Sequence, residues 1–174
     1  MIVPDINLLL YAYDSDSQFH STTLAWWQGC LSGTETVGLP QVVVFGFVRV
    51  GTNARVFHRP MTVSEAAANV RSWLEQPVVQ VLDSDSNHTE QTLKLLESVG
   101  VGGNLVTDAQ IAAIAIEHGG VVHTSDTDFI RFPGLRWFNP ITGVGSGTLR
   151  RGRTRNQGKL ATRGTKGNPE GAKT

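Results

Sequence analysis

Short apolar segments alternate with longer segments of mixed polarity along the first 140 residues. The short segments are rich in valine, isoleucine and leucine, which is typical of buried strands; we predict strands at residues 2–3, 36–39, 78–82, 121–124 and 135–138. The longer segments carry apolar residues at helical spacing; we predict helices at residues 7–13, 21–31, 41–52, 62–75, 86–99 and 108–117. This alternation predicts an α/β fold, here a three-layer α/β/α sandwich with a mostly parallel sheet.

The helix at residues 108–117 is the most informative of these elements. Thr107 stands where an N-cap residue belongs, and the residues that follow are mainly alanine and isoleucine. A helix that is apolar nearly all round should be buried. Asp108 would then lie in the first turn, near the positive end of the helix dipole and at the rim of the core. Such an acid can simply stabilise its helix, so a site is inferred only if other acids lie nearby.

Three further acids follow predicted strands. Asp5 comes after the first strand, and Asp126 and Asp128 come after the fourth. In a parallel sheet with right-handed crossovers, the carboxyl ends of the strands share one edge, where α/β folds bind ligands. Several carboxylates at one edge would repel one another without a cation, and oxygen ligands suit Mg²⁺ or Mn²⁺. The layout is typical of metal-assisted phosphodiester hydrolysis.

Each of these acids also has an ordinary structural interpretation. Asp5 could cap the helix that begins at Asn7, and the sequence Ser-Asp-Thr-Asp at residues 125–128 suits a plain turn. The combination of acids is more informative than any one of them. Spacing alone does not distinguish a nuclease from a phosphatase.

The composition limits the setting in which these residues act. A hydrophobic content of 40% with 17% charged residues fits a globular protein. The one cysteine, Cys30, excludes an intrachain disulfide and a cysteine-based zinc site. The N-terminus lacks the basic region of a secretion signal, and no apolar run is long enough to cross a bilayer. We therefore expect a cytoplasmic protein.

The net charge of zero hides two opposite parts of the chain. Residues 144–174 contain eight basic residues and one acid, a charge of +7, whereas residues 1–143 carry −7. Apolar residues nearly vanish beyond residue 142, so we predict one domain over residues 1–141 and a basic, disordered tail over residues 142–174. The tail would either supply nonspecific phosphate contacts that an acidic body cannot, or have no role.

Four segments resemble the sequence motifs of the PIN domain. Residues 2–12, IVPDINLLLYA, place an aspartate after the first strand and a small polar residue two positions later. Residues 49–57, RVGTNARVF, resemble a segment common in VapC-type PIN toxins. Residues 107–109, TDA, and 124–129, TSDTDF, resemble the third and fourth acidic motifs of the family. The resemblance extends over about residues 1–141, with the motifs in the family's order.

This resemblance implies a Mg²⁺-dependent endoribonuclease, with Mn²⁺ as a substitute ion, that is the toxin of a type II toxin–antitoxin pair. By position, Asp5 and Asp108 would be the principal metal ligands. Asp126 or Asp128 would complete the catalytic acidic pocket, and the resemblance does not say which is closer to the metal. Two further side chains would be polar supports, Asn7 and Thr124.

The implied partners are an RNA substrate, a second copy of the chain in a homodimer, and a small VapB-like antitoxin. By analogy, the antitoxin would block the acidic pocket with a basic side chain. Candidates for its contacts are Trp26, Trp27 and residues 42–48, although these residues fit a core role equally well. No membrane partner is expected.

One position departs from the pattern of the family. PIN nucleases usually carry a glutamate three residues before the arginine that corresponds to Arg49, and Gly46 stands there. The missing carboxylate would weaken metal binding or leave that role to Asp126 and Asp128. An alternative function is therefore a catalytically weakened PIN-fold module that binds antitoxin or RNA without efficient cleavage. A phosphatase or DNA nuclease built on the same acids is a third possibility.

Overall fold

A six-stranded sheet forms the centre of the protein in the computed structural model, which describes residues 1–147. The strands lie in the order β3-β2-β1-β4-β5-β6. Their bounds are β1 Ile2–Pro4, β2 Val37–Pro40, β3 Val79–Leu82, β4 Val121–His123, β5 Trp137–Asn139 and β6 Val144–Gly145. Strands β1 to β5 are parallel to their neighbours, and β6 pairs antiparallel with β5.

Helices flank this sheet, which confirms the predicted α/β sandwich with a mostly parallel sheet. Within residues 1–147 the α-helices are α1 Ile6–Tyr13, α2 His20–Ser32, α3 Gln41–Gly51, α4 Val63–Leu74, α5 His88–Val99 and α6 Leu105–Glu117. The helix α4 begins at the predicted place, because Thr62 and Glu65 form a reciprocal capping box. The predicted loop after β4 contains a 3-10 helix, Thr127–Arg131.

The order of the strands fixes where ligands can bind. The chain moves outward from β1 to β2 and β3, then crosses to the other side of β1 to form β4 and β5. The direction of the winding therefore reverses between β1 and β4. In open α/β sheets, the crevice outside the carboxyl ends of the strands at such a switch point is the usual ligand site.

The start of α6 differs from the sequence prediction. The helix begins at Leu105, with Asn104 as its N-cap residue, so Thr107 lies inside the first turn and does not cap the helix. Leu105 is buried, and burying a leucine stabilises a fold by about 1.5–3 kcal/mol, whereas an N-cap contributes about 1 kcal/mol. Burial of Leu105 therefore outweighs capping by Thr107. Asp108 is still in the first turn, as predicted.

Aromatic rings fill the core beside helices α1 to α4. The ring of Trp73 contacts Trp27 with a centroid distance of 5.4 Å and Phe47 with a distance of 4.7 Å. The indole nitrogen of Trp73 donates a hydrogen bond of 2.7 Å to the hydroxyl of Tyr13. Trp27 is only 1% exposed, so its candidacy as an antitoxin contact is wrong: it is a core residue. Trp26 is half-buried and keeps part of its surface accessible.

The sheet continues past residue 141, because β6 adds Val144–Gly145 to its edge. The predicted basic, disordered tail lies largely outside the described residues, from residue 148 onward. Across residues 1–147, no helix is both long enough and apolar enough to span a membrane.

Candidate active site at the carboxyl edge of the sheet

The predicted acids lie around the switch point between β1 and β4. These neighbouring strands are in register, with Ile2 opposite Val121 and Pro4 opposite His123. Asp5 directly follows β1, and Asp126 is the third residue after β4. Asp108 reaches the same edge from the first turn of α6, the helix that leads into β4. The fold therefore brings together residues more than a hundred positions apart in the chain.

Asp5 is the most buried member of this acidic group, with 2% of its surface exposed. Its backbone N–H donates to the carbonyl of His123, and its Oδ2 accepts a 2.8 Å hydrogen bond from the hydroxyl of Thr124. The pKa of Asp5 is raised to about 7, mainly by burial and also by the negative charges of Asp108 and Asp126, although the hydrogen bond from Thr124 lowers it.

Asp108 is half-buried and close enough to the other acids to sense their charge. Burial raises its pKa to about 6, with additional contributions from the charges of Asp126 and Asp128. Asp5 and Asp108 therefore hold protons more tightly than free aspartates do. A positively charged ligand bound by these carboxylates would lower this electrostatic cost.

The two acids of the 125–129 segment differ in their environment. The charge of Asp126 raises the pKa of both Asp5 and Asp108, so its carboxylate lies close enough to affect both. The charge of Asp128 affects Asp108, and its Oδ1 forms an ion pair of 3.2 Å with Arg131. Asp126 Oδ1 also accepts from the backbone N–H of Asp128 at 2.8 Å, which caps the 3-10 helix. Asp126 is thus the more central of the two.

Thr124 and Asn7, the two predicted polar supports, differ in burial and in their contacts with the acids. Thr124 is buried, and its hydroxyl contacts both acidic segments: it donates to Asp5 and accepts a 2.9 Å hydrogen bond from the backbone N–H of Asp126. Asn7 lies half-buried in the first turn of α1, two residues after Asp5. The hydroxyl of Thr124 therefore links the Asp5 carboxylate to the backbone of Asp126.

Gly46, which replaces the usual glutamate of the family, is packed inside the fold. A Cβ atom at this position would lie 2.3 Å from Cδ1 and 3.0 Å from Cγ1 of Ile6, which is itself buried. Ile6 directly follows Asp5 and begins α1. The space that a side chain at position 46 would need is therefore filled by a neighbour of the site.

The acids fit a divalent cation by the chemistry of their donor atoms. Within residues 1–147, no group of three or more His, Cys, Asp or Glu side chains forms a preassembled metal cage. Magnesium is usually held by only one or two carboxylates, with waters and substrate phosphate oxygens completing its shell. Over the same residues, neither Asp5, Asp108 nor Asp126 forms an ion pair with lysine or arginine. The carboxylate oxygens of these three acids are therefore not neutralised by a basic side chain within the described residues.

The sequence analysis did not identify His123, whose backbone carbonyl contacts Asp5 and whose side chain contacts Trp26. The indole N–H of Trp26 donates to His123 Nδ1 at 3.1 Å, and the two rings stack. Burial lowers the pKa of His123 to about 4, so the ring is neutral at physiological pH. Because the carbonyl of His123 accepts from Asp5, this packing helps to fix the end of β1.

Sequence reasoning also missed a cavity of about 320 Å³ beside the acids, at the ends of β2 and β3. Its wall includes Gln41 and Gln110, neither of which carries a strong sequence signal. The position of Asp108 gave no signal for Gln110, because a residue two positions later faces a different side of α6.

Comparison with known proteins agrees with this geometry. The PIN domain family matches residues 2–135. The chain is 44% identical over 141 residues to Ribonuclease VapC33 of Mycobacterium tuberculosis, which covers 81% of this chain and 99% of the relative. The chain therefore belongs to the PIN-domain family. Within that family it is a member of the VapC ribonuclease group.

Solved structures share the fold at lower sequence identity. VapC20 of Mycobacterium tuberculosis, described as a toxin that cleaves the sarcin-ricin loop, has a TM-score of 0.59 and 21% identity, with 75% of this chain and 93% of that chain covered. VapBC2 from Rickettsia felis, bound to a DNA fragment from its promoter, has a TM-score of 0.58 and 19% identity, with 80% and 98% covered. At these identities the likeness concerns the fold.

Proposed function

We propose that this protein is a Mg²⁺-dependent endoribonuclease, with Mn²⁺ as an effective substitute, and the toxin of a type II toxin–antitoxin pair. The observation that carries the proposal is the convergence of Asp5, Asp108 and Asp126 at the switch point of the sheet, where each contributes to a shared electrostatic field. VapC33, which is 44% identical to this chain over 141 residues, is named a ribonuclease, and this supports RNA as the substrate.

Asp5 and Asp108 would hold the metal ion, and Asp126 would complete the pocket. When bound, a divalent ion supplies charge neutralisation for the phosphate and makes a coordinated water more acidic. Thr124 orients the Asp5 carboxylate and the start of the Asp126 segment through its two hydrogen bonds. Asp128 acts further out, since it also pairs with Arg131, and Asn7 supports the rim from α1.

Substitution of the acids tests this proposal. Asp5→Asn and Asp108→Asn keep the shape of each side chain and remove its charge, so both should abolish cleavage of single-stranded RNA in Mg²⁺ or Mn²⁺. Asp16→Asn is the control, because Asp16 is an exposed acid outside the site. Cleavage by both site variants at the rate of the unsubstituted protein would exclude the site. Single-stranded DNA and a small phosphate ester, assayed in parallel, separate a ribonuclease from a DNA nuclease or phosphatase.

A specific observation favours a second function. Gly46 has no side chain, and the end of the Ile6 side chain lies against it, so the fourth carboxylate that is usual in the family is missing here. A catalytically weakened PIN-fold module that binds antitoxin or RNA would result if three acids do not hold the metal. Thermal melting distinguishes the two: Mg²⁺ or Mn²⁺ should raise the melting temperature of a working site, whereas a binding module should show neither this rise nor cleavage.

An antitoxin partner is supported by the structural likeness to a toxin–antitoxin complex from Klebsiella pneumoniae. The candidate segment at residues 42–48 lies in α3, where Val43 and Phe47 are buried but Phe45 is 65% exposed. Phe45, together with the accessible part of Trp26, offers apolar surface to an antitoxin. A basic antitoxin side chain would enter the acidic pocket, the protein would act on RNA in the cytoplasm as a homodimer, and its basic tail would contact phosphates or have no role.

Co-purification tests the partner. If a short reading frame lies directly upstream of the gene for this chain, its product, expressed with this chain, should form a stable complex in which RNA cleavage is inhibited. Phe45→Ser should weaken the complex while leaving cleavage by the free protein intact. An antitoxin that binds both proteins equally would place its contacts elsewhere.

A further inference from the structure

A cavity of about 320 Å³ lies at the carboxyl ends of β2 and β3. Polar side chains from four elements or loops form much of its wall: Gln41, Asp83, His88 and Gln110. Leu82 and Ile114 add an apolar surface. Small-molecule sites are commonly concave, partly apolar and furnished with a few fixed polar groups, at volumes of roughly 300–1,000 Å³. The cavity has the size and composition of a site for one ring-shaped ligand.

The cavity adjoins the acidic edge. Strands β1 and β2 are neighbours, with Ile2 opposite Val37. Three residues further along each strand, Asp5 therefore lies opposite Pro40. Neighbouring strands are about 4.8 Å apart. Pro40 belongs to the cavity wall. Gln110 is two residues beyond Asp108 in α6, about 3 Å along the helix axis. The cavity and the acids therefore lie at the ends of neighbouring strands, on different sides of the first turns of α6.

Hydrogen bonds fix the polar groups of the wall. The side-chain amide of Gln41 donates to Asp83 Oδ1 at 3.3 Å. The ring of His118 donates through Nε2 to the backbone carbonyl of Asp83 at 3.1 Å. His88 Nδ1 lies 3.1 Å from Glu117 Oε1, whose side chain is only 5% exposed. These contacts orient Gln41, Asp83 and His88 in the absence of a ligand.

Two of the oriented groups, Asp83 and Gln41, offer hydrogen-bond acceptors. Asp83 is an acid, and Gln41, which gives its N–H to Asp83, has its carbonyl oxygen left for another partner. The Nδ1 of His88 lies 3.1 Å from Glu117 Oε1, which orients the imidazole ring in the wall. None of the wall residues within the described part of the chain is lysine or arginine. This chemistry disfavours a phosphate and favours a ligand with N–H donors.

We propose that this cavity binds one unpaired guanine base next to the scissile phosphodiester. The inference rests on the proposed ribonuclease function and adds its specificity. Guanine offers N1–H and N2–H₂ side by side, which matches the two oxygens of the Asp83 carboxylate. Proteins that read RNA by sequence bind splayed bases by stacking and by hydrogen bonds to their edges. Asp83 is the principal specificity-determining residue, with Gln41 and Gln110 as further contacts.

Cleavage of matched RNA oligonucleotides tests the proposal. The substrates are identical single strands that differ only in the bases on either side of the cleaved bond. The full chain, with Mn²⁺ present, should cleave strands with guanine at one of these positions roughly tenfold or more faster than strands with uracil there. Asp83→Asn should remove most of this preference, because one acceptor becomes a donor. Asp85→Asn, two residues away and outside the wall, makes the same charge change and should keep it.

A binding measurement separates failure of this proposal from failure of the ribonuclease function. Guanosine, adenosine, cytidine and uridine monophosphates, and inorganic phosphate, are each titrated into the ¹⁵N-labelled protein. The guanosine nucleotide should shift the side-chain amide signals of Gln41 and Gln110 most, and Asp83→Asn should abolish these shifts. Equal shifts by all nucleotides, shifts by phosphate alone, or no shifts would overturn the proposal. If no RNA is cleaved, the ribonuclease function fails while this titration still decides the cavity.

Discussion

Thr124 connects the two acidic segments through one hydroxyl group, and its replacement should have a measurable effect on Asp5. The hydroxyl donates to Asp5 at 2.8 Å and accepts from the backbone N–H of Asp126 at 2.9 Å. Thr124→Val keeps the side-chain shape and removes both bonds. A hydrogen bond to a charged group contributes about 1.5–3 kcal/mol, equivalent to about 1–2 pH units. The pKa of Asp5, about 7 in the unsubstituted protein, should rise by this amount.

The sign of the effect on stability follows from the raised pKa. Asp5 in the metal-free fold binds its proton more tightly than an unfolded aspartate, with a pKa of about 7 against 3.8. The folded state therefore loses stability as pH rises from about 4 to about 7, and the loss from this group ends there. In Thr124→Val the loss should continue to about pH 8–9. The difference in free energy of unfolding between the two proteins should thus be larger at pH 9 than at pH 5.

Two measurements on chelator-treated protein check this reasoning. Carboxyl ¹³C NMR gives the pKa of Asp5 directly, and denaturant unfolding at pH 5 and pH 9 gives the free energies. Thr124→Ser retains the hydroxyl and should behave like the unsubstituted protein. Thr92→Val is a matched control, because Thr92 is a buried threonine whose hydroxyl has no partner within residues 1–147. An unchanged Asp5 pKa in Thr124→Val would refute the proposed role of this bond.

Three further predictions concern the same site. Asp5→Asn should stabilise the metal-free protein at pH 8 by about 2–4 kcal/mol, measured by denaturant unfolding, because it removes a buried charge; a loss of stability would contradict this. Mg²⁺ should raise the melting temperature more at pH 8 than at pH 5.5, since protons compete for Asp5 and Asp108, whose pKa values are about 7 and 6; equal shifts at both pH values would argue against carboxylate ligands. Gly46→Ala requires the end of the Ile6 side chain to move, a cost of about 1–3 kcal/mol that exceeds the gain of about 0.5–1 kcal/mol from removing a glycine inside α3, so the variant should be less stable. Ile6→Val should recover part of the loss in the double variant; full additivity of the two changes would show that the contact is not responsible.

The elements of the fold were predictable because they depend on local patterns. Runs such as residues 2–3 and 121–124 are apolar and short, and the helices carry apolar residues at helical spacing. The convergence of Asp5, Asp108 and Asp126 followed from one topological rule, that parallel strands share their carboxyl edge. Those inferences require only the identity and order of the elements.

The remaining features depend on contacts that sequence patterns do not contain. The start of α6 at Leu105 reflects burial against other elements, which a capping signal at Thr107 does not reveal. The central position of Asp126 and the outward ion pair of Asp128 arise from the geometry of a short 3-10 helix. The contact between Gly46 and Ile6 joins residues forty positions apart. Each of these is a tertiary effect.

The direction of β6 indicates where a label can be attached away from the acidic edge. Because β6 is antiparallel to β5, with Val144 opposite Asn139 and Gly145 opposite Phe138, the chain there runs back toward the amino edge of the sheet. Gly147 consequently lies toward the end of the molecule remote from the carboxyl edge. A cysteine at this position, coupled to a fluorophore or a surface, would orient the protein with its acidic edge open to RNA in single-molecule or surface-based assays.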